Sequence, residues 1–427
     1  MTIRVLAPET AAKIAAGEVV ERPASVVKEL VENALDAGAS AIAVEVSGGG
    51  QELIRVTDDG CGLASEEMEL AFARHATSKL TGDDLLSITT LGFRGEALPA
   101  IAAVAEVEMV SRPPETQSAA FVRLDAGAVV ERGERGAPAG TSVSVSRLFA
   151  RQPARRKFLR SPSTEANQIA SVVSHYALAY PAVRFSLTLE GRQSLLTDGN
   201  GELRDAIAAV YGADVAAAML LVRPGDGLVA VDGLAAAPQV SRAGRGYVSL
   251  FVNGRWIQSR RLAYAVEEAY RGLLMVGRYP IAVLHLRLPL EEVDVNVHPT
   301  KAEVRFRDES SVFGAVQRAV RAALLETAPV AVATAAPTAP FDLSPQPSSP
   351  PLWEHARALE RRQAGAGSAE PLAATGVSTP AETLPALRGG AGRVRIQDLW
   401  TAPPRLWSEA ARARVPEAAT LSAVRSP

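Results

Sequence analysis

The chain has a single cysteine, Cys61, among 427 residues. A disulfide framework and a metal site built from the cysteines of one chain are therefore both excluded. Residues 1–20 contain no continuous apolar run of signal-peptide length. Nowhere does the sequence approach the roughly 20 apolar residues that a bilayer-spanning helix needs. The expected location is the cytoplasm, away from membranes. A large excess of one charge is also missing, since the formal net charge is -2. Any contact with nucleic acid must then come from local basic patches. Two common nucleotide cradles are absent: there is no Gly-x-x-x-x-Gly-Lys-Ser/Thr loop and no dinucleotide-binding glycine fingerprint. No internal repeat is present. The last stretch, 331–427, has no lysine at all and is crowded with Ala and Pro. Such a composition has too little large apolar surface to offset ordering entropy, so a disordered tail is expected. Helix formers gather at 353–363 and 399–413, either by chance of composition or as docking motifs.

What is present suits a globular protein. Hydrophobic residues make up 47% and charged residues 22%, enough for a sizeable core, and the length suggests two or three domains. Val26, Val27, Leu30, Val31, Ala34 and Leu35 recur at helical spacing and predict a helix over 26–37, with Gly38 as its stop. Ile42, Val44 and Val46 alternate as in a half-buried strand. A triple glycine, Gly48 to Gly50, makes a turn, and Leu53, Ile54 and Val56 resume a strand. A second unit begins after about residue 200, with strands at 247–253 and 281–288 separated by a helix over 261–274. These patterns predict an α+β layer architecture.

Four short pieces carry chemistry. On the first helix, Glu29 and Asn33 are four apart and share a face, and Glu32 and Asp36 form a neighbouring pair. Asp58-Asp59-Gly60-Cys61-Gly62 follows a strand; a carboxylate there can accept from an exocyclic amine, and the glycines allow close backbone approach. Leu91-Gly92-Phe93-Arg94-Gly95-Glu96 precedes a predicted helix over 96–104, whose first backbone amides suit an anion. Upstream, Thr77, Ser78 and Lys79 add hydroxyls and positive charge. Finally, Gly140-Thr141-Ser142 enters a strand at 143–145. Taken alone, each piece is also compatible with an ordinary solvated face or turn.

In order and spacing the four pieces resemble the motifs of the GHKL (Bergerat-type) ATPases, and their wording is most similar to the MutL family. The resemblance rests on residues 14–33, on Ala73-Arg74-His75-Ala76-Thr77-Ser78-Lys79, on Gly92-Phe93-Arg94-Gly95-Glu96-Ala97-Leu98, and on Val293-Asp294-Val295-Asn296-Val297-His298-Pro299-Thr300-Lys301. It covers about residues 3–325. It implies a GHKL ATPase sandwich over 1–205, a smaller α/β transducer domain over 206–330, and the disordered linker or tail over 331–427. By this resemblance Glu29 is the general base that activates water, and Asn33 holds Mg2+ through its carbonyl oxygen. Asp58 accepts from the adenine amino group, Gly60 and Gly62 make room beside the base, and Thr141 supports Asp58. The stretch 74–95 is a lid, with Thr77, Ser78, Lys79, Arg94 and Gly95 around the phosphates. Lys301 reaches the γ-phosphate from the second domain.

The implied function is mismatch repair. ATP binding orders the lid and the arm at 15–20 and closes two chains into an N-terminal homodimer, and slow hydrolysis releases them. Implied partners are DNA, the mismatch sensor MutS, and a downstream nuclease or helicase. Two stretches free of acidic residues are candidates for DNA phosphates: Arg147, Arg151, Arg155, Arg156, Lys157 and Arg160, then Arg242, Arg245, Arg255, Arg260 and Arg261, with Arg260 the best single candidate. The sequence departs from the family pattern at Arg151, where an Asn usually precedes the Pro-Ala-Arg triplet. It also carries no Asp-Gln-His-Ala-type motif, so endonuclease activity and constitutive C-terminal dimerisation are not expected. Two rivals remain: another GHKL enzyme, such as a topoisomerase subunit or a kinase, and a non-enzymatic scaffold for repair partners.

Overall fold

A computed structural model describes residues 16–17, 19–74, 76–79, 90–92, 95–225, 227–294 and 304–326. The first helix, α1, spans Pro23–Asp36 and buries Val26, Val27, Leu30, Val31 and Ala34. It starts three residues before the apolar period predicts. Pro23 suits a first turn, where its missing N–H is not needed. The helix stops as expected at Gly38, whose φ is 71°. The Gly38 amide donates to the Leu35 carbonyl at 3.0 Å and the Ala39 amide to the Ala34 carbonyl at 3.2 Å. This pair of reversed bonds caps the last carbonyls of the helix.

Strands β1 (Ala41–Ser47) and β2 (Leu53–Asp58) form the expected hairpin around Gly48–Gly50. Then come α2 (Ala97–Ala102), β3 (Glu106–Arg112), β4 (Ala119–Asp125), β5 (Ala128–Arg135) and β6 (Gly140–Ser146). Helices α3 (Pro153–Phe158) and α4 (Pro162–Ala179) lead to β7 (Arg184–Leu189) and β8 (Arg192–Leu196). The helix expected at 96–104 is shorter, because Glu96 is its N-cap and Ala103 closes it. Eight strands form one sheet in the order β5-β4-β3-β6-β2-β1-β7-β8. Its pairings are antiparallel except β1 with β7. Buried and exposed residues alternate along β1, as in a sheet with one covered face. Helices α1 and α4 pack on each other and on that face. The core between them includes Val27, Val31, Ile42, Val44, Ile54, Ile169 and Phe185. Burying each such side chain stabilises by about 1.5–3 kcal/mol. The edge strand β5 is exposed throughout and carries Glu131, Arg132, Glu134 and Arg135, charges that discourage edge-to-edge pairing.

The second sheet follows α5 (Leu203–Tyr211) and α6 (Ala213–Ala217). Its strands are β9 (Met219–Val222), β10 (Ala230–Ala236), β11 (Val248–Val252), β12 (Arg255–Ile257) and β13 (Ala282–Arg287), in the order β12-β11-β13-β10-β9. Helix α7 (Arg260–Ala269) makes the crossover to β13, which runs parallel to β11. A short pair, β14 (Val293–Asp294) with β15 (Arg305–Phe306), precedes α8 (Glu309–Glu326). Helices α7 and α8 cover one face of the sheet through Leu262, Val266, Val316 and Val320. The helix expected over 261–274 ends at Ala269. Tyr270 turns into the core at 1% exposure, and Gly272 takes a φ of 79° that redirects the chain. No helix among the described residues is long and apolar enough to cross a membrane.

Candidate functional site

Helix α1 is the spine of the site. Glu29 and Asn33 stand one turn apart on it. Lys28 Nζ lies 3.2 Å from Glu29 Oε1 and 2.7 Å from Glu32 Oε1, and the Tyr176 hydroxyl donates to Glu32 Oε1 at 2.6 Å. Burial lowers the Lys28 pKa, but the two neighbouring carboxylates outweigh it and the net shift is upward. Lys28 therefore stays charged and fixes Glu29 from the side. One turn on, Lys79 Nζ donates to Asn33 Oδ1 at 2.8 Å and to Asp36 Oδ2 at 2.6 Å. Asp36 also accepts the Leu91 amide at 2.8 Å and the Gly92 amide at 3.0 Å. Gly92 stands so close that an added Cβ would lie 3.2 Å from Lys79 Nζ and 3.8 Å from Asn33 Oδ1.

A second cluster forms at the end of β2. Asp58 Oδ1 accepts the Gly60 amide at 2.9 Å. Burial pushes the Asp58 carboxyl above the usual range, against the backbone amides of Gly60 and Thr141 that hold it down. Thr141 pairs with Asp58 across β6 and β2, and its Oγ1 is 2.8 Å from the Ser111 hydroxyl. Ser111 in turn accepts the Leu63 amide at 2.8 Å. The Cys61 amide donates to the Ala37 carbonyl at 3.0 Å, which ties this loop to the end of α1. Gly62 has a φ of 70° and packs on the Arg112 carbonyl, 2.5 Å from where a Cβ would sit. Gly95, at φ 61°, packs the same way on the Ala76 carbonyl. The structure thus gathers Glu29, Asn33 and Lys79 on one side and Asp58, Gly60, Gly62 and Thr141 on the other, joined through residue 37. Thr77 and Ser78 are exposed, and the Thr77 hydroxyl accepts the Lys79 amide at 3.2 Å. Arg94 and Lys301 lie outside the described residues. Sequence reasoning missed Asp36 as an organiser, although its spacing from Glu32 and Asn33 was visible. It also missed Tyr176 and Ser111, which only the packing brings in.

The basic stretches need correction. Freedom from acidic residues along the sequence did not carry over into space. Arg147 pairs with Glu106 at 2.8 Å and Arg151 with Asp125 at 2.6 Å. Arg155 is half-buried: its guanidinium lies 5.7 Å from the Phe149 ring and against Gly17. In the second stretch Arg245 pairs with Glu267 at 3.1 Å and Arg261 with Glu309 at 2.7 Å. Arg255 is buried at 8% exposure and bonds to the carbonyls of Thr90 and Leu91, so it is no surface cation. Arg156, Lys157, Arg160 and Arg260 are exposed and remain the candidates for phosphate contact.

Residues 21–141 match the family model described as "Histidine kinase-, DNA gyrase B-, and HSP90-like ATPase". Residues 207–325 match "DNA mismatch repair protein, C-terminal domain". The chain is 51% identical over 323 residues to the DNA mismatch repair protein MutL of Symbiobacterium thermophilum, across 75% of this chain and 51% of that protein. It is 50% identical over 323 residues to MutL of Desulforudis audaxviator, across 75% of this chain and 57% of that protein. It thus spans about half the length of the curated relatives it matches. Among solved structures it resembles the N-terminal domain of a DNA repair protein, with a TM-score of 0.63 at 25% identity over 74% of this chain and 98% of that one. It also resembles the Aquifex aeolicus MutL ATPase domain complexed with ADP, with a TM-score of 0.50 at 28% identity over 64% of this chain and 95% of that one. The α1 constellation, the eight-stranded sheet and these matches agree: the chain belongs to the MutL family of DNA mismatch-repair proteins and carries a GHKL ATPase domain.

Proposed function

We propose that the chain is a mismatch-repair factor that binds ATP with Mg2+, hydrolyses it slowly, and closes as an N-terminal homodimer on binding. The observation that carries this reading is the placement of Glu29 and Asn33 one turn apart on α1, with the Asp58 loop bonded to that helix's end. In this reading Asp58 selects adenine. Its carboxyl is desolvated yet held by two amides, which leaves an acceptor fixed in place for an exocyclic amine. Glu29, steadied by Lys28, orients and deprotonates the attacking water. The Mg2+ fits the residues present. A cation, the Lys79 ammonium, already stands 2.8 Å from Asn33 Oδ1, so this amide oxygen is directed at positive charge. The ion, when bound, offsets negative charge on the phosphates; one protein ligand is common for Mg2+ that shares phosphate oxygens. Thr77, Ser78, Lys79, Arg94 and Gly95 surround the phosphates, and Lys301 contributes from the second domain. We place the ATPase domain at 1–205 and the transducer at 206–330, a border that lies between the two sheets and inside α5.

DNA binding is the second part of the reading. Arg156, Lys157, Arg160 and Arg260 supply sequence-independent phosphate contacts. The nucleotide-driven closure couples the mismatch sensor MutS to a downstream nuclease or helicase. The test is light scattering on the full chain with and without Mg2+ and a non-hydrolysable ATP analogue, together with Glu29→Ala. A nucleotide-dependent rise from monomer to dimer mass is expected. Glu29→Ala should bind ATP with near wild-type affinity while turnover falls at least 100-fold, the scale of a general-base contribution. A Glu29→Ala protein that turns over at the wild-type rate would remove Glu29 from the mechanism.

A further inference from the structure

We infer that Arg255 is a positioning residue for the nucleotide site, holding the backbone of residues 90–92 against Asn33 from the second sheet. This rests on the ATP-site reading above and extends it to a residue of the five-stranded sheet. Arginine is seldom buried without a reason, and Arg255 is only 8% exposed. Its Nη1 donates to the Leu91 carbonyl at 2.9 Å and its Nη2 to the Thr90 carbonyl. A planar fork that reaches two adjacent carbonyls is a task for guanidinium, and a lysine cannot reproduce it.

The sequence explains why Arg255 is placed there. Asn253 and Gly254, at φ 47° and 81°, are the two turn residues between β11 and β12, as a tight hairpin of this hand requires. That turn sets Arg255 at the first position of β12. The hairpin is itself anchored, because the Tyr180 hydroxyl at the end of α4 donates to the Gly254 carbonyl at 3.1 Å. The Asn253 side chain donates to the Leu288 carbonyl at 2.9 Å.

The same short segment is held from the opposite side by α1. Asp36 takes the amides of Leu91 and Gly92 at 2.8 and 3.0 Å, while Arg255 takes the carbonyls of Thr90 and Leu91. Gly92 walls the corner where Lys79 meets Asn33. A displacement of 90–92 therefore alters the place where the phosphates and Mg2+ bind. Two clamps, one on α1 and one on β12, hold one segment, so pre-organisation is shared between them.

The experiment measures binding of a non-hydrolysable ATP analogue by calorimetry, and KM and kcat for ATP, on the full chain. The proteins are wild type, Arg255→Lys, Asp36→Asn and the double variant, each checked by circular dichroism. Arg255→Lys keeps charge and bulk, so the fold is retained while the fork is lost. Arg255→Lys and Asp36→Asn should each weaken analogue binding and raise KM by about tenfold, the scale of one hydrogen bond to a charged group, with kcat changed less. The double variant should lose clearly less than the product of the two single losses, because both clamps act on one segment. A folded Arg255→Lys protein with wild-type KM and affinity overturns the inference, and so does a strictly multiplicative double variant. If wild type itself binds no analogue, the ATP-site reading fails first and takes this inference with it.

Discussion

Asp36 shows how much one side chain can organise. It closes α1 and takes Lys79 and the amides of Leu91 and Gly92 on its two oxygens. The motif wording drew attention to Glu29 and Asn33, which stand one turn apart on α1. Asp36 and Ser111 carry no such wording, and their roles come from partners distant in sequence. His175 is a further residue whose state is set by packing. It stacks on Trp256 with ring centroids 4.1 Å apart, and its Nδ1 donates to the Ser171 carbonyl at 2.6 Å. Burial pulls its pKa down to about 4. The folded state therefore resists protonation while the unfolded chain takes up a proton near the ordinary value of 6.5. Stability is unaffected above that pH and falls progressively between about 6.5 and 4. The loss that such a shift implies is at most roughly 3 kcal/mol. Urea midpoints across this window should fall further for wild type than for His175→Gln; parallel curves would mean that the ring titrates normally.

At the scale of elements, the glycines separate two kinds of constraint. Gly38 ends α1 at φ 71° with open space where a Cβ would point. Gly140 starts β6 at φ 111°, and there a Cβ would run into the Asp58 carbonyl. Gly38→Ala should cost only the left-handed penalty of about 1–2 kcal/mol. Gly140→Ala adds a backbone clash and should cost more, on the order of 3 kcal/mol or above. It should also weaken ATP binding, since the displaced strand end carries Asp58. Thermal midpoints and nucleotide titrations of both variants check this; equal losses would show that the clash relaxes freely. The helices illustrate the same division. Periodicity and Gly38 placed the first helix to within three residues at its start. The helix expected to reach 274 was overextended because Tyr270, helix-compatible by itself, turns into the core instead.

For the whole molecule, electrostatics decides more than composition. Of the eleven basic residues in the two acid-free stretches, Arg147, Arg151, Arg245 and Arg261 are ion-paired, and Arg155 and Arg255 are packed inward. Exposed pairs contribute little to stability, but they cancel the charge available to DNA. The triple variant Arg156→Ala, Lys157→Ala, Arg160→Ala should therefore weaken duplex binding uniformly across sequences. It should also reduce the slope of log K against log salt by up to about 3, near 0.9 for each phosphate that is no longer neutralised. Arg245→Ala and Arg261→Ala should leave the slope nearly unchanged. Fluorescence anisotropy over a salt series measures this, and an unaltered slope in the triple variant would place the DNA interface elsewhere.

The sequence by itself determined the α+β class, the first helix and hairpin, the family, and the residues that meet on α1. Those features are local: a period of apolar residues, a glycine stop, a strand that ends in Asp-Asp-Gly. Only the tertiary structure decided which cations are ion-paired, which serine braces Thr141, and that Arg255 faces inward to the carbonyls of Thr90 and Leu91. Charge compensation and burial depend on residues brought together from distant parts of the chain. No spacing within either partner's own segment encodes them.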